Sequence, residues 1–193
     1  VFEVRIHGRG GQGVVTAAEL LSVAAFEEGR HAQAFPSFGS ERTGAPVVSF
    51  CRFSDRAIRT REPVAEPDAL IVQDPTLLHQ VDLFAGLSRE GCALINTGGS
   101  VDSLGLAEFA AGFGPGKVLA TPATAIAREH LGRPLPNAAL LGGFAALTGR
   151  LRLESVLSAI GERFPGRAGE GNAAAARACF EQVRGQLEAV AHV

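Results

Sequence analysis

Gly8, Gly10 and Gly13 stand in the stretch HGRGGQGVV with the spacing G-x-G-x-x-G. The run before it, FEVRIHG, alternates like a strand, and the run after it, GVVTAAELLSVAAFEEG, has helical spacing. A glycine-rich turn between a strand and a helix makes an anion site. Backbone N–H groups at a helix N-terminus are unpaired, and the helix dipole favours negative charge there. The same spacing is the dinucleotide fingerprint. For NAD, an Asp or Glu is needed about 20 residues on, at the end of the second strand, to hold the ribose. The second strand here reads HAQAF and has no acid, while Glu27 and Glu28 fall too early, in the last helical turn. Three readings stay open: a phosphate ligand other than NAD, a subunit contact made by bare backbone, and a tight turn that only packs helix on strand.

A second constellation, FPSFGSERTGAPV, packs Ser37, Ser40, Glu41, Arg42 and Thr43 between glycines and prolines. Arg42 has a planar fork suited to a phosphate or carboxylate; the alternative is a solvated surface arginine. Asn137 follows Pro136 at the start of an apolar helix, where it can cap that helix or bond a ligand amide. His7 and His31 are read as strand ends near the glycine loop, and the remaining histidines are scattered. The sequence has no G-x-x-x-x-G-K-[ST], no H-E-x-x-H and no G-x-S-x-G, so it offers no self-contained machinery for difficult chemistry. Cys51, Cys92 and Cys179 are too far apart for a disulfide framework or a cluster held by this chain alone, and read as buried small hydrophobes in a reducing, cytoplasmic setting.

The elements that must position these residues follow from periodicity. VVSFCRF reads as a strand, and AIRTR is expected to pair with it through a turn at Ser54–Asp55. DALIVQD, GCALINT and KVLATPA read as buried strands. TAIAREHLG, NAALLGGFAALTG, LESVLSAIGERF and NAAAARACFEQVRGQLEAVA read as helices that close the chain. The expectation is a single three-layer α/β/α domain over residues 1–193, with a mixed, Rossmann-like sheet and C-terminal helices covering one side. A net charge of −2 argues against sequence-independent nucleic-acid binding, and no apolar run is long enough for a membrane span.

Taken in order, RIHGRGGQGVVTAAELLSVAAFEEG, HAQAFPSFGSERTGAPVVSF, EPDALIVQDPTLL and PNAALLGGFAALTG resemble the gamma subunit of the 2-oxoacid:ferredoxin oxidoreductases, most nearly the pyruvate type. The likeness covers roughly residues 2–150. The indolepyruvate branch shares the glycine loop but differs at the second loop. The small alanines after Asn137 are a mild departure from the family pattern.

The resemblance implies oxidative decarboxylation of a 2-oxoacid with coenzyme A to an acyl-CoA and carbon dioxide. The 2-oxoacid would be pyruvate or a related or aryl one such as phenylglyoxylate. It implies thiamine diphosphate, Mg and 4Fe–4S clusters in partner subunits of alpha, beta and delta type. Electrons would pass to ferredoxin or, through a flavin subunit, to NAD. This chain would help form the coenzyme A site and the subunit interface, with cofactor-binding residues Gly10, Gly11, Gln12, Gly13, Ser40, Arg42, Thr43 and Asn137 and no catalytic residue or metal ligand of its own. The alternatives are a free-standing NAD(P)-binding oxidoreductase and a purely structural subunit.

Overall fold

The fold is that of a computed structural model, which describes residues 1–37 and 43–192. Six strands, β1 (Phe2–Arg9), β2 (His31–Pro36), β3 (Pro46–Ser54), β4 (Ala69–Val72), β5 (Cys92–Asn96) and β6 (Val118–Thr121), form one sheet in the order β2-β3-β1-β4-β5-β6. β1, β4, β5 and β6 run parallel, whereas β3 is antiparallel to both β1 and β2. The sheet is therefore mixed, as the sequence suggests.

Among the described residues, six α-helices accompany it: α1 (Val14–Glu27), α2 (Ala107–Ala111), α3 (Ala123–Leu131), α4 (Asn137–Thr148), α5 (Leu153–Arg163) and α6 (Gly166–Ala191). α1, α4, α5 and α6 bury one face of the sheet, where Val4, Ile6, Ile71 and Leu94 meet Leu21, Leu141, Phe144 and Ile160. The opposite face is thinner. Leu70, Val72 and Ile95 pack there against the 3₁₀ turn Pro75–His79 and the short α2 region around Phe113. α4 sits deepest, and its first nine residues, Asn137–Ala145, are all buried. Ala138 and Ala139 lie fully in that core, so the small residues after Asn137 are what lets α4 approach its neighbours.

Two expectations are corrected. AIRTR (residues 57–61) is not a strand, and β3 pairs instead with β2 on one side and β1 on the other. Both edges of β3 are thereby occupied, which leaves the segment after Ser54 no partner to extend. α6 begins at Gly166, not near Asn172. Glycine-rich GRAGEG has weak helix propensity, but Gly169 and Gly171 are buried in the helix packing, and tertiary contact overrides propensity.

Candidate functional site

β1 and β4 are parallel neighbours whose following elements leave in opposite directions. α1 goes to the thick helical layer, and the Pro75–His79 turn goes to the thin one. That divergence is a topological switch point at the carboxyl ends of the strands, the place of the ligand crevice in α/β sheets. The glycine loop forms one lip and Asp74–Thr76 the other.

The loop's geometry follows from its glycines. Gly13 is the N-cap of α1 with φ +71°, a left-handed conformation that favours glycine. A Cβ on Gly13 would lie 2.5 Å from Asn137 Nδ2. As a glycine, the N-cap residue offers α1 no side-chain cap, and the first turn has no acid. The first intrahelical bond runs from the Ala17 N–H to the Gly13 carbonyl, 3.0 Å, so the first-turn N–H groups have no partner within the helix. α4 also starts without a side-chain cap, at Pro136, and its first residue reaches Gly13. Two helix N-termini therefore converge on this spot.

Side chains across the crevice fix the loop. The Arg9 N–H donates to Gln12 Oε1 (2.8 Å), and Gln12 Nε2 donates to Asp74 Oδ2 (2.8 Å). Arg9 Nε lies 3.2 Å from the same carboxylate, while its other nitrogens donate to Thr76 Oγ1 (2.8 Å) and the Gly44 carbonyl (3.0 Å). Asp74 caps the 3₁₀ turn by accepting from the Thr76 N–H (3.0 Å) and hydroxyl (2.6 Å). Partial burial pushes the Asp74 carboxyl upward. The hydrogen bonds from Thr76 and Gln12 and the charge of Arg9 outweigh it, and the net direction is below the usual carboxylate range. Behind the crevice, Asn96 donates to the Gln73 carbonyl (2.8 Å) and accepts from the Thr124 N–H (3.1 Å) at the start of α3. Gln73 itself is 1% exposed, and neither atom of its amide finds a partner among the described residues.

The structure brings six of the eight sequence-derived residues together. Gly10 bridges to Thr43, with the Gly10 N–H donating to the Ala45 carbonyl (2.9 Å) and the Gly44 N–H to the Gly10 carbonyl (3.0 Å). A Cβ on Gly11 would lie 4.0 Å from the Thr43 methyl, and Gln12 sits in the Asp74 network. Gly13 meets Asn137, whose Nδ2 donates to the Gly13 carbonyl at 3.4 Å. Asn137 thus does not cap its own helix; Pro136 holds the cap position, and the side chain ties two helix starts together. Ser40 and Arg42 lie outside the described residues.

The histidine pair is corrected. His31 opens β2 at the end of the sheet away from the glycine loop. His7 is buried on the sheet face opposite α1, where Arg5 Nε donates to its Nε2 (3.0 Å). Burial, and then the Arg5 charge, lowers its pKa to about 4, so it is neutral at pH 7. Arg9, Asp74 and Thr76 were not singled out from the sequence. The available signal was the DPT after the fourth strand, where an Asp cap precedes a Pro at the first helical position.

The order of strands also bears on the dinucleotide reading. The strand after α1 is not beside β1, because β3 intervenes. At about 4.8 Å per strand, the position of a ribose-binding acid moves away from the glycine loop by one full strand. Among the described residues, no three His, Cys, Asp or Glu side chains gather as a metal site, and no helix is long and apolar enough to cross a membrane. All three cysteines are buried, and burial raises each thiol pKa.

Comparison with known proteins gives a consistent result. The family model described as pyruvate ferredoxin/flavodoxin oxidoreductase matches residues 3–182. The pyruvate synthase subunit PorC of Methanothermobacter marburgensis is 47% identical over 95% of this chain and 98% of its own length. The pyruvate/ketoisovalerate oxidoreductases common subunit gamma of Thermococcus kodakarensis is 48% identical over 94% of this chain and 97% of its own. The crystal structure of the pyruvate oxidoreductase subunit PORC from Thermotoga maritima superposes with a TM-score of 0.78 at 36% identity, covering 93% of this chain and 95% of that one.

Proposed function

The chain belongs to the pyruvate ferredoxin/flavodoxin oxidoreductase family and is a subunit of a 2-oxoacid oxidoreductase; from that premise we propose that its glycine-loop crevice takes the pyrophosphate of coenzyme A. The observation that carries this reading is the uncapped start of α1 at left-handed Gly13, set against the equally uncapped start of α4. Coenzyme A is an adenine nucleotide with a pyrophosphate, so unpaired first-turn N–H groups and two helix dipoles match its charge. Asn137 and Thr43 flank the same opening with polar groups.

Thiamine diphosphate with Mg, held by alpha- and beta-type partners, supplies the carbon–carbon cleavage of the 2-oxoacid. Clusters on a delta-type partner carry the electrons to ferredoxin or to a flavin subunit. This chain binds and orients the coenzyme and contributes to the subunit interface in the cytoplasm. The substrate proposed first is pyruvate, with branched 2-oxoacids next, following the names of the two relatives. Phenylglyoxylate and other aryl 2-oxoacids follow from the sequence resemblance alone.

Arg42, the residue before Thr43, is proposed as the cationic contact to the coenzyme. Replacing it by alanine in the intact complex should weaken coenzyme A by about 1.5–3 kcal/mol, or roughly ten- to a hundredfold in its Michaelis constant. Single-turnover formation of the thiamine-bound intermediate should persist, because that chemistry lies on other chains. An unchanged coenzyme A constant together with a lost intermediate would assign the loop to the subunit interface and end the coenzyme reading.

A further inference from the structure

β2 is an edge strand, and its outer side pairs with no strand among the described residues. The ladder identifies which groups are bare. The Ser37 N–H donates to the Val48 carbonyl (2.9 Å), and the register runs Pro36↔Ser49, Phe35↔Phe50, Ala34↔Cys51, Gln33↔Arg52 and Ala32↔Phe53. Antiparallel pairs alternate, so Ser37, Phe35 and Gln33 bond to β3, while the backbone groups of Ala32, Ala34 and Pro36 point outward. Edge strands exposed in this way are usually protected by charge, bulges or cover. Here Pro36 blocks the end, but Ala32–Phe35 carry no charged residue.

The edge is also recessed. Two adjoining cavities of about 660 and 460 Å³ run along it, and each is lined by residues from both faces of β2. α1 forms one wall through Glu19, Ser22, Val23 and Phe26, the last 74% exposed, and the segment with Ile58 and Arg61 forms the other. The Gln33 side chain lines both cavities, and its Oε1 is buried without a donor among the described residues. Arg61 has no ion pair among them either.

We propose that this groove receives an extended arm from another subunit of the complex, which adds to the sheet as a seventh strand beside β2. A six-residue strand is about 20 Å long, so the arm pairs over four to six residues. Backbone pairing to Ala32 and Ala34 supplies its register, in the manner of strand addition to an exposed sheet edge. The arm's side chains on the α1 side are small or apolar against Val23 and the alanines, and polar or basic beside Glu19. On the other side it carries a carboxylate for Arg61. This inference rests on membership in a multi-subunit family and is independent of the coenzyme A reading.

Hydrogen exchange, read by mass spectrometry on the native complex and on the isolated full chain, tests it. The Ala32 and Ala34 amides should exchange at least about tenfold more slowly in the complex. Equal rates in the two samples would overturn the proposal. Protection that appears in the isolated chain and grows with its concentration would also overturn it, in favour of self-association. Ala34→Pro removes an outward N–H and should weaken assembly about tenfold while coenzyme A binding by the assembled complex is unchanged. If that variant does not fold, Ser22→Arg fills the groove from α1 without touching β2 and should weaken assembly similarly; undiminished assembly would refute the arm.

Discussion

β1 carries two arginines four residues apart on the same side of the sheet, and they do opposite work. Arg5 is 8% exposed and makes no ion pair among the described residues. Its nitrogens donate to the carbonyls of Val64 (3.3 Å), Ala65 (3.4 Å), Leu83 (3.0 Å) and Ala85 (2.5 Å), and to His7. It ties two loops to the thin face of the sheet. Burial lowers its pKa somewhat, with the Asp82 charge opposing. Arg9 sits at the rim, where it bridges Asp74, Thr76 and Gly44 and so holds the two lips of the crevice. The same side chain is scaffold when its donors meet loop carbonyls and a neutral histidine in the interior, and site machinery when they meet a carboxylate and a loop backbone at the strand ends.

The largest effect should come from Arg5. Arg5→Leu leaves four loop carbonyls without their donor, and buried unsatisfied groups cost about 1–3 kcal/mol each when nothing replaces the partner. Relaxation and water entry reduce the sum, and a loss of about 3–5 kcal/mol is expected. For a chain of this size that is a drop of roughly 6–20 °C in Tm, measurable by calorimetry on the isolated chain. A variant that melts within a degree or two of the parent would remove the distinction between the two arginines.

His7 sharpens the same comparison through pH. Its folded pKa of about 4 lies below the ordinary value of 6.5, because burial and then Arg5 disfavour the imidazolium. The unfolded chain therefore binds the extra proton first as pH falls. The stability associated with neutral His7 is complete above about pH 6.5 and declines down to about pH 4. The total is on the order of 3 kcal/mol. Urea unfolding at pH 7 and pH 4.5 should show this loss in the parent and a markedly smaller one in His7→Gln. Equal losses in both proteins would show that His7 is not the group that titrates.

Much of this organisation is legible in the sequence. The glycine loop, the apolar helix behind Asn137 and the mixed sheet follow from periodicity and turn chemistry, because strong local patterns survive into the fold. The contact of Asn137 with Gly13 was legible only as shared membership of a site, since it joins residues 124 apart. AIRTR misled because its alternation is compatible with a strand while the edges of β3 are filled from elsewhere, a tertiary fact with no local trace. Asp74 was hidden for a different reason. Its cap signal was local, but its partner Arg9 lies one strand away, and single-chain periodicity does not pair strands. Ser40 and Arg42 remain proposals resting on sequence.

The smallest expected effect isolates the rim arginine. Asp74→Asn keeps the side chain's shape and an acceptor for the Thr76 N–H, but removes the charge facing Arg9 and the acceptor pair shared by Gln12. The ion pair is partly exposed, so its loss should cost only about 0.5–1 kcal/mol of stability. The parent gains stability from this carboxylate above the ordinary aspartate pKa and loses it as pH falls through the depressed folded value, so any difference in stability between parent and variant should shrink under acid. The consequence for the site is separable from stability. With Gln12 untethered from the opposite lip, the N–H groups of Gly11–Gly13 lose their fixed aim. The coenzyme A Michaelis constant of the complex should then rise several-fold, by about 1 kcal/mol, while kcat at saturating coenzyme stays within twofold of the parent. A changed kcat with an unmoved Michaelis constant would place Asp74 outside the coenzyme's path and reduce Arg9 to a second scaffold arginine.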